Sequence, residues 1–300
     1  MPEVSVVLAT HDQARWLDEA IAGVRAQTLD DWELLLVDDG STDDTPAIVA
    51  RHAAADARIR AFAGPRVERC RARNRGLAEA RAPLVAFLDG DDAWAPAKLA
   101  RQVAAMAAAP DAALCYTTTR VVDADGRPLP ERKPKRPLGP DAFATLARGN
   151  VIILSSVMAR RDAVLRAGGF DPALASLGCE DWNLWLTLAR AARVGGGDAE
   201  LTRYRRHGTN TPRANILAGA LRVIDAQWAD PETARRTGLS RAAARALHLW
   251  WHAAALALTD RRAALAVVRR ALAEAPGTVS SRPALHALSA LVVPRRALAR

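Results

Sequence analysis

Three short acidic clusters carry the residue types most able to do chemistry in this 300-residue chain: Val37-Asp38-Asp39-Gly40-Ser41, Leu88-Asp89-Gly90-Asp91-Asp92 and Cys179-Glu180-Asp181-Trp182. In the second, Asp89 and Asp91 stand one residue apart, with Gly90 between them to allow a sharp bend. Two carboxylates so spaced on a tight turn can approach one divalent cation. Hard oxygen ligands with no neighbouring His or Cys favour Mg2+ or Mn2+. An ion held this way keeps open positions for phosphate oxygens and would neutralise a pyrophosphate leaving group. One acidic loop is more often a solvated cap or turn. Three of them, each at an expected strand end or helix start, point to a site.

The elements that must position these clusters follow from the apolar pattern. Residues 4–8, 32–37, 59–63, 84–88 and 112–118 read as short strands. Residues 14–26, 45–55, 71–80 and a segment from Pro96 to about Ala108 read as helices, with Leu17, Ile21 and Val24 on one face of the first. Strands alternating with helices predict a doubly wound parallel sheet with ligands at the carboxyl ends of its strands. Strands that are apolar throughout, rather than alternating, agree with burial on both faces. After Val121 the pattern changes. Asp125-Gly126 predicts a turn between two extended segments, and residues 132–136 form a basic, Pro-rich loop. Residues 141–148 and 161–167 read as helices with a strand at 152–158 between them, and 180–192 as a helix opened by acids, which suit its N-terminus. From Ile216 the chain reads as almost all helix. Ser240 is expected to cap a helix to about Leu258, and Thr259-Asp260 to cap another ending before Pro276-Gly277.

Half of the chain is hydrophobic and a quarter charged, which excludes a wholly disordered or collagen-like protein. Cys70, Cys115 and Cys179 form no Cys-x-x-Cys pair, which argues against a disulfide scaffold or structural zinc and for a reducing compartment. The first residues have no basic n-region followed by an apolar stretch, so no signal peptide is expected. The most apolar helical stretch, 246–258, is too short to span a bilayer. A cytoplasmic protein, soluble or peripheral at the inner face of a membrane, is the expectation. The net charge of +9 is uneven: residues 215–300 carry thirteen Arg and five acids, a net of +8, which leaves +1 for the preceding 214. This basic tail lacks interleaved aromatics that would stack on bases, so nucleic acid is not the expected partner. An anionic membrane surface suits a basic amphipathic helix better, and a plain solvated helical face suits it equally. His248 and His252 have i,i+4 spacing but enclose Trp250-Trp251 and no acid, so they read as packing or interfacial residues rather than a zinc site.

In chain order, these segments resemble those of family 2 glycosyltransferases. Val4-Ser5-Val6-Val7-Leu8-Ala9-Thr10-His11-Asp12 resembles that family's opening strand and nucleotide loop, and Val37-Asp38-Asp39-Gly40-Ser41-Thr42-Asp43 its second-strand motif. Ala72-Arg73-Asn74-Arg75-Gly76, followed by Val85-Ala86-Phe87-Leu88-Asp89-Gly90-Asp91-Asp92, resembles its Asp-x-Asp metal segment. Glu180-Asp181-Trp182 resembles its late Glu-Asp element, and Tyr204-Arg205-Arg206-His207 its downstream basic element. The resemblance spans about residues 3–210, with two departures: Ala9 stands where the family usually has Pro, and Asp12 where it usually has Asn.

The resemblance implies a GT-A fold, an α/β doubly wound, mostly parallel sheet flanked by helices. It divides the chain into a glycosyltransferase domain at 1–214, with a nucleotide-sugar half at 1–120 and an acceptor half at 121–214, and a basic helical extension at 215–300. It implies inverting transfer from a nucleoside diphosphate sugar, UDP-linked by expectation, to a glycan or lipid-linked acceptor, with Mn2+ or Mg2+ as cofactor. Carried onto this sequence, Thr10 and Asp39 contact the nucleoside, and Asp12 lies near it. Arg73 meets the pyrophosphate or orders the loop. Asp89 binds ribose or a metal-bound water, Asp91 is the main metal ligand, Asp92 supports the turn, and His207 joins the metal or diphosphate. Asp181 is the general base and Glu180 orients the acceptor hydroxyl or begins the helix. Trp182 and Trp94 offer a face to a sugar ring or pack in the core.

Other classes fit less well. A sugar-nucleotide pyrophosphorylase would need a Gly-rich loop after the first strand, and residues 9–15 contain no Gly. An Asp-x-Asp phosphatase places its motif after the first strand, not the fourth. Walker A, Gly-x-Ser-x-Gly and His-Glu-x-x-His patterns are absent. A degenerate nucleotide-sugar-binding protein, or a basic interaction protein, stays as the alternative that intact Asp91 and Asp181 oppose.

Overall fold

The computed structural model describes residues 1–134, 138–139, 141–208 and 210–292. The chain opens with four βα repeats. β1 (Val4–Thr10) leads into α1 (Ala14–Arg25), β2 (Trp32–Asp38) into α2 (Thr45–Ala55), and β3 (Ile59–Ala63) into α3 (Arg69–Glu79). β4 (Leu84–Asp89) leads through the two-residue β5 (Ala93–Trp94) into α4 (Lys98–Ala108). β1 and β2 are buried almost end to end, as continuous Val/Leu runs require when helices cover both faces. Leu17, Ile21 and Val24 face inward from α1 and join Val4, Leu34 and Leu99 in the core.

The next stretch contains β6 (Ala112–Val122), β7 (Pro128–Lys133), α5 (Ala142–Leu146), β8 (Val157–Arg160), α6 (Arg161–Arg166), α7 (Glu180–Ala191) and β9 (Arg193–Arg205). Among the described residues, one nine-stranded sheet takes the order β3-β2-β1-β4-β8-β6-β9-β5, with β7 paired on β6. The half β3-β2-β1-β4 is parallel throughout, as the sequence predicts. The other half is mixed: β8 runs antiparallel to β4 and β6, β6 and β9 are parallel, and β9 is antiparallel to β5. The fold is therefore α/β with a central sheet flanked by helices. The strand order turns back at β1, whose two neighbours are β2 and β4. In open α/β sheets that reversal makes the ligand crevice, at the carboxyl ends of the strands.

Three local expectations change. The strand expected at 152–158 is a 3-10 turn, Leu154–Ser156, followed by β8. The basic loop expected at 132–136 begins as the end of β7; Lys135 and Arg136 lie outside the described residues. β9, which contains Gly195-Gly196-Gly197, has no counterpart in the sequence reading. Packing explains part of that run. A Cβ on Gly196 would stand 2.5 Å from the Tyr116 hydroxyl, so only glycine allows β9 to lie this close to β6.

The chain divides into two compact units. One comprises Met1–Leu146, Asn150–Ser176 and Glu180–Asn210, and holds the whole sheet. The other comprises Ala147–Gly149, Leu177–Cys179 and Thr211–Arg300. Its helices are α8 (Arg213–Gln227), α9 (Pro231–Thr237), α10 (Arg241–Ala257), α11 (Arg261–Glu274) and α12 (Arg282–Val292). Ser240 and Asp260 cap α10 and α11 by accepting from Ala243 and Ala263 N–H. Leu249, Trp250 and Ala253 pack with Val268, Ala271, Ala284 and Ala287 to form this unit's own core. Arg245 ties α10 to Asp225 and Glu274. Burial holds the His248 imidazole down at about 4, which keeps it neutral near pH 7, in keeping with a packing residue.

Candidate active site

The nucleoside end is built by sheet register. Thr10 pairs with Asp38, and Ala9 with Asp89 one strand over, so the ends of β1, β2 and β4 meet on one line. The Asp39 N–H donates to the Thr10 carbonyl at 2.9 Å, which places these two expected nucleoside contacts side by side. Asp39 Oδ1 accepts from the Val67 N–H at 2.6 Å, which fastens the segment before α3 over this end. Asp12, expected near the nucleoside, bonds the neighbouring loop. Its Oδ1 accepts from the Thr42 N–H at 2.7 Å, and that hydrogen bond holds its carboxyl below the usual range. It ties the β1–α1 loop to the β2–α2 loop, so its charge is engaged by the protein's own backbone.

The Asp89–Asp92 turn, the expected metal segment, follows β4. Gly90 is not in the left-handed region; its requirement is room. A Cβ there would lie 2.6 Å from Gln13 Oε1 and 3.0 Å from Thr10 Oγ1. The turn therefore packs directly against the nucleoside end. One carboxylate oxygen from each of Asp89, Asp91 and Asp92 lies within 4.8 Å of the other two. Asp92 is buried, and burial, then the charges of Asp91 and Asp89, push its carboxyl well above the ordinary range. Its two oxygens accept from Ser155 Oγ–H at 2.5 Å and from the Arg205 N–H at 2.9 Å. Asp91 Oδ2 lies 2.7 Å from His207 Nε2, and the imidazole stacks on Trp16 with ring centroids 4.3 Å apart. Crowded hard oxygens with one imidazole beside them fit a divalent cation of the Mg2+ or Mn2+ kind, which would offset the concentrated negative charge.

The Glu180–Asp181 end, where the sequence reading expects the base, opens α7. Asp181 is half-buried. Its Oδ2 accepts from Asn150 Nδ2 at 2.9 Å and its Oδ1 from the Trp182 N–H at 2.7 Å. Burial, then the neighbouring Glu180 charge, push its carboxyl up to about 6. Glu180 is buried and paired with Arg73. Arg73 joins the two ends: its guanidinium donates to Glu180 Oε1 at 2.7 Å and to Asp89 Oδ1 at 2.6 Å. Burial alone would lower the Arg73 pKa, but the charges of Asp89 and Glu180 more than offset it and raise it. Two of its donors are thus paired with carboxylates.

Residues 5–167 match the family model "Glycosyl transferase family 2". The chain belongs to glycosyl transferase family 2. It is 34% identical over 212 residues to the O-antigen biosynthesis protein RfbC of Myxococcus xanthus, covering 69% of this chain and 16% of that protein. It is 28% identical over 220 residues to an uncharacterized glycosyltransferase of Nostoc sp., covering 69% of this chain and 66% of that protein. The chain thus spans from about a sixth to about two thirds of the length of these curated relatives. Among solved structures, it is similar to residues 1–349 of S. aureus TarS in complex with UDP-GlcNAc. The TM-score is 0.64 at 15% identity, covering 97% of this chain and 88% of that one. It is also similar to the mannosyltransferase PcManGT from Pyrobaculum calidifontis in complex with GDP-Man and Mn2+. There the TM-score is 0.60 at 20% identity, covering 97% and 86%. These likenesses carry the fold, a GT-A-type arrangement.

For Trp182 and Trp94 the sequence reading left two alternatives, a face offered to a sugar ring or packing in the core. Trp182 is 1% exposed and donates from Nε1 to the Leu146 carbonyl at 2.7 Å. Trp94 is 3% exposed and donates to the Ser155 carbonyl at 2.7 Å, with the Lys98 ammonium 3.9 Å from its ring centroid. Both rings are core residues, because each indole N–H finds a buried carbonyl and each face is covered. Sequence reasoning missed Trp16, Arg205, Asn150 and Ser155 as site residues. Only Arg205 had a signal, as part of the basic element beside His207. Its side chain reaches the Asp91 carbonyl at 2.9 Å and Glu19 at 2.5 Å, which pins the metal turn to α1.

Proposed function

We propose that this chain is an inverting glycosyltransferase that moves a sugar from a UDP-sugar to a hydroxyl of a glycan or lipid-linked acceptor. One observation carries the reading: a single buried guanidinium, Arg73, touches both Asp89 of the metal turn and Glu180 beside Asp181. The two acidic ends therefore belong to one site, at the sheet's switch point. Thr10 and Asp39 line the nucleoside end. Asp89 and Asp91 would hold a divalent cation, Mn2+ or Mg2+, with His207 beside Asp91. When bound, the cation supplies positive charge against the departing diphosphate. Asp181 takes the proton from the acceptor hydroxyl, and a carboxyl lifted to about 6 is ionised at neutral pH yet basic enough for that task. Arg73 neutralises Glu180 and so keeps the two adjacent acids from repelling each other fully.

The solved neighbours, one in complex with UDP-GlcNAc and the other with GDP-Man and Mn2+, support a nucleotide-sugar donor and a divalent cation. The similarity to an O-antigen biosynthesis protein supports a cell-envelope glycan as acceptor. Three free cysteines agree with a reducing, cytoplasmic setting. Among the described residues no helix is long and apolar enough to cross a membrane. In the reading proposed, residues 1–214 carry transfer and residues 215–300 contact an anionic membrane face. The exposed stripe of α11 supports that contact, with Leu265 and Leu272 among Arg261, Arg262, Arg269 and Arg270. Salt should weaken sedimentation of the full chain with anionic vesicles.

The test of transfer is release of nucleoside diphosphate from a panel of UDP-, GDP- and dTDP-sugars with and without Mn2+. Metal-dependent release from one donor class, lost in Asp181→Asn, is expected. Release that is equal in EDTA, or that survives in Asp181→Asn, contradicts the reading.

A further inference from the structure

The segment between α5 and β8 reads in sequence as an apolar run, Asn150-Val151-Ile152-Ile153-Leu154-Ser155-Ser156, without a charge. Its two polar ends nevertheless reach opposite ends of the site. Asn150 Nδ2 donates to Asp181 Oδ2 at 2.9 Å, and the Ile152 N–H, at 3.3 Å from Asn150 Oδ1, orients that amide. Five residues later, Ser155 Oγ donates to Asp92 Oδ2 at 2.5 Å and accepts from the Asp89 N–H at 3.0 Å. The Ser155 carbonyl accepts from Trp94 Nε1, and the Ser156 carbonyl accepts from Gln102 Nε2 at 3.0 Å, so the segment is anchored to β5 and α4. Apolar Ile152 and Leu154 are buried between these contacts.

We propose that residues 150–155 form a positioning strap that sets the base and the metal turn relative to each other, with Asn150 the positioning residue of Asp181 and Ser155 that of the Asp89–Asp92 turn. This rests on the transferase reading above. The physical case is one of span. Arg73 couples the two ends electrostatically, but a guanidinium between two carboxylates leaves the orientation of Asp181 open. The amide of Asn150 fixes it, because Oδ1 is already held by the Trp182 N–H and only Oδ2 is left to aim. A neutral donor does this without adding charge beside the nascent oxyanion or the acceptor. The charged groups around Asp181 are Glu180 on its own helix and Arg73 from α3, with Arg69 of α3 3.9 Å from Glu180. The strap brings none. At the other end, Ser155 holds Asp92 against the protein, while Asp89 pairs with Arg73 and Asp91 with His207.

The test uses the full chain and two substitutions with different signatures. Asn150 is exposed, so Asn150→Ala is expected to fold. In that variant the Asp181 carboxyl, followed by carbon-detected NMR without donor or acceptor, should titrate about one pH unit higher, since a donor to the charged form is lost. The acid limb of kcat should move with it while the Kd for UDP with Mn2+ stays within about twofold. Ser155→Ala should leave the Asp181 midpoint in place and cut the Mn2+-dependent gain in UDP affinity about tenfold, with Ser155→Thr restoring it. An Asp181 midpoint unmoved in Asn150→Ala overturns the proposal, as does a Ser155→Ala variant that melts like wild type and keeps the full gain. If wild type itself shows neither Mn2+-dependent UDP binding nor transfer, it is the underlying transferase reading that falls, and the NMR midpoint still decides whether Asn150 governs Asp181.

Discussion

At one end of the site three carboxylates crowd, one oxygen of each within 4.8 Å of the other two; at the other, two adjacent acids have been given separate fates. Asp89, Asp91 and Asp92 concentrate charge, and burial with mutual repulsion lifts Asp92 well above the ordinary range. Glu180 and Asp181 are neighbours in sequence, yet Arg73 pairs with the first and two amide N–H donors meet the second. In the proposed reading, the same residue types serve as a cation-holding turn in one place and as a single titratable base in the other. Acidic side chains supply the charge in both; the partners decide the chemistry.

Separating the two ends by mutation tests that contrast. Asp181→Asn should lower turnover by about 10²- to 10⁴-fold, the usual worth of general-base catalysis, with UDP affinity in Mn2+ held within about twofold. Steady-state kinetics and calorimetry on one preparation measure both, and a parallel loss of binding would mean that the ends are not distinct. Asp91→Ala should do the converse at the metal turn and remove at least about a tenfold Mn2+-dependent gain in UDP affinity. Arg73→Ala attacks the link between them. It leaves Glu180 as an uncompensated buried charge, which costs about 3–5 kcal/mol, and it should lower Tm by about 10 °C or more in a thermal scan. Arg73→Lys should lose less stability, because one cation remains, although it cannot reach both carboxylates in the same fork. The smallest effect is on pH. Asp181 sits at about 6, raised from the ordinary carboxylate value, so its base form is lost as pH falls through that value. Turnover should be flat from pH 7 to 8 and fall about tenfold per unit well below 6. A limb near pH 4 would return Asp181 to an ordinary solvated carboxylate.

The charged parts of the site were legible in sequence, and the neutral parts were not. Asp39, Asp89, Asp91 and Asp181 stand out because three acidic clusters recur at expected strand ends and a helix start, where a single one would read as a cap or turn. The parallel half of the sheet was legible for a related reason, since runs such as Leu34-Leu35-Leu36-Val37 of β2 read as strands covered on both faces. Asn150 and Ser155 carry no such mark: a lone amide and a hydroxyl bounding an apolar run look like the edges of a strand, and only the fold brings them to the carboxylates. β9 was hidden by its glycines, whose value is the space they leave for Tyr116. For Trp94 and Trp182 the sequence left a sugar platform and core packing both open. An aromatic next to an acidic motif suggests a sugar platform, but each indole N–H is satisfied by a carbonyl in the core.

Isothermal titration of UDP into the full chain, with and without Mn2+, tests the central claim most directly, because it asks whether the crowded carboxylates act as a cation-dependent diphosphate site. Tighter binding with Mn2+, and the loss of that gain in Asp91→Ala, is the expected result. Equal affinity with and without the metal would contradict it.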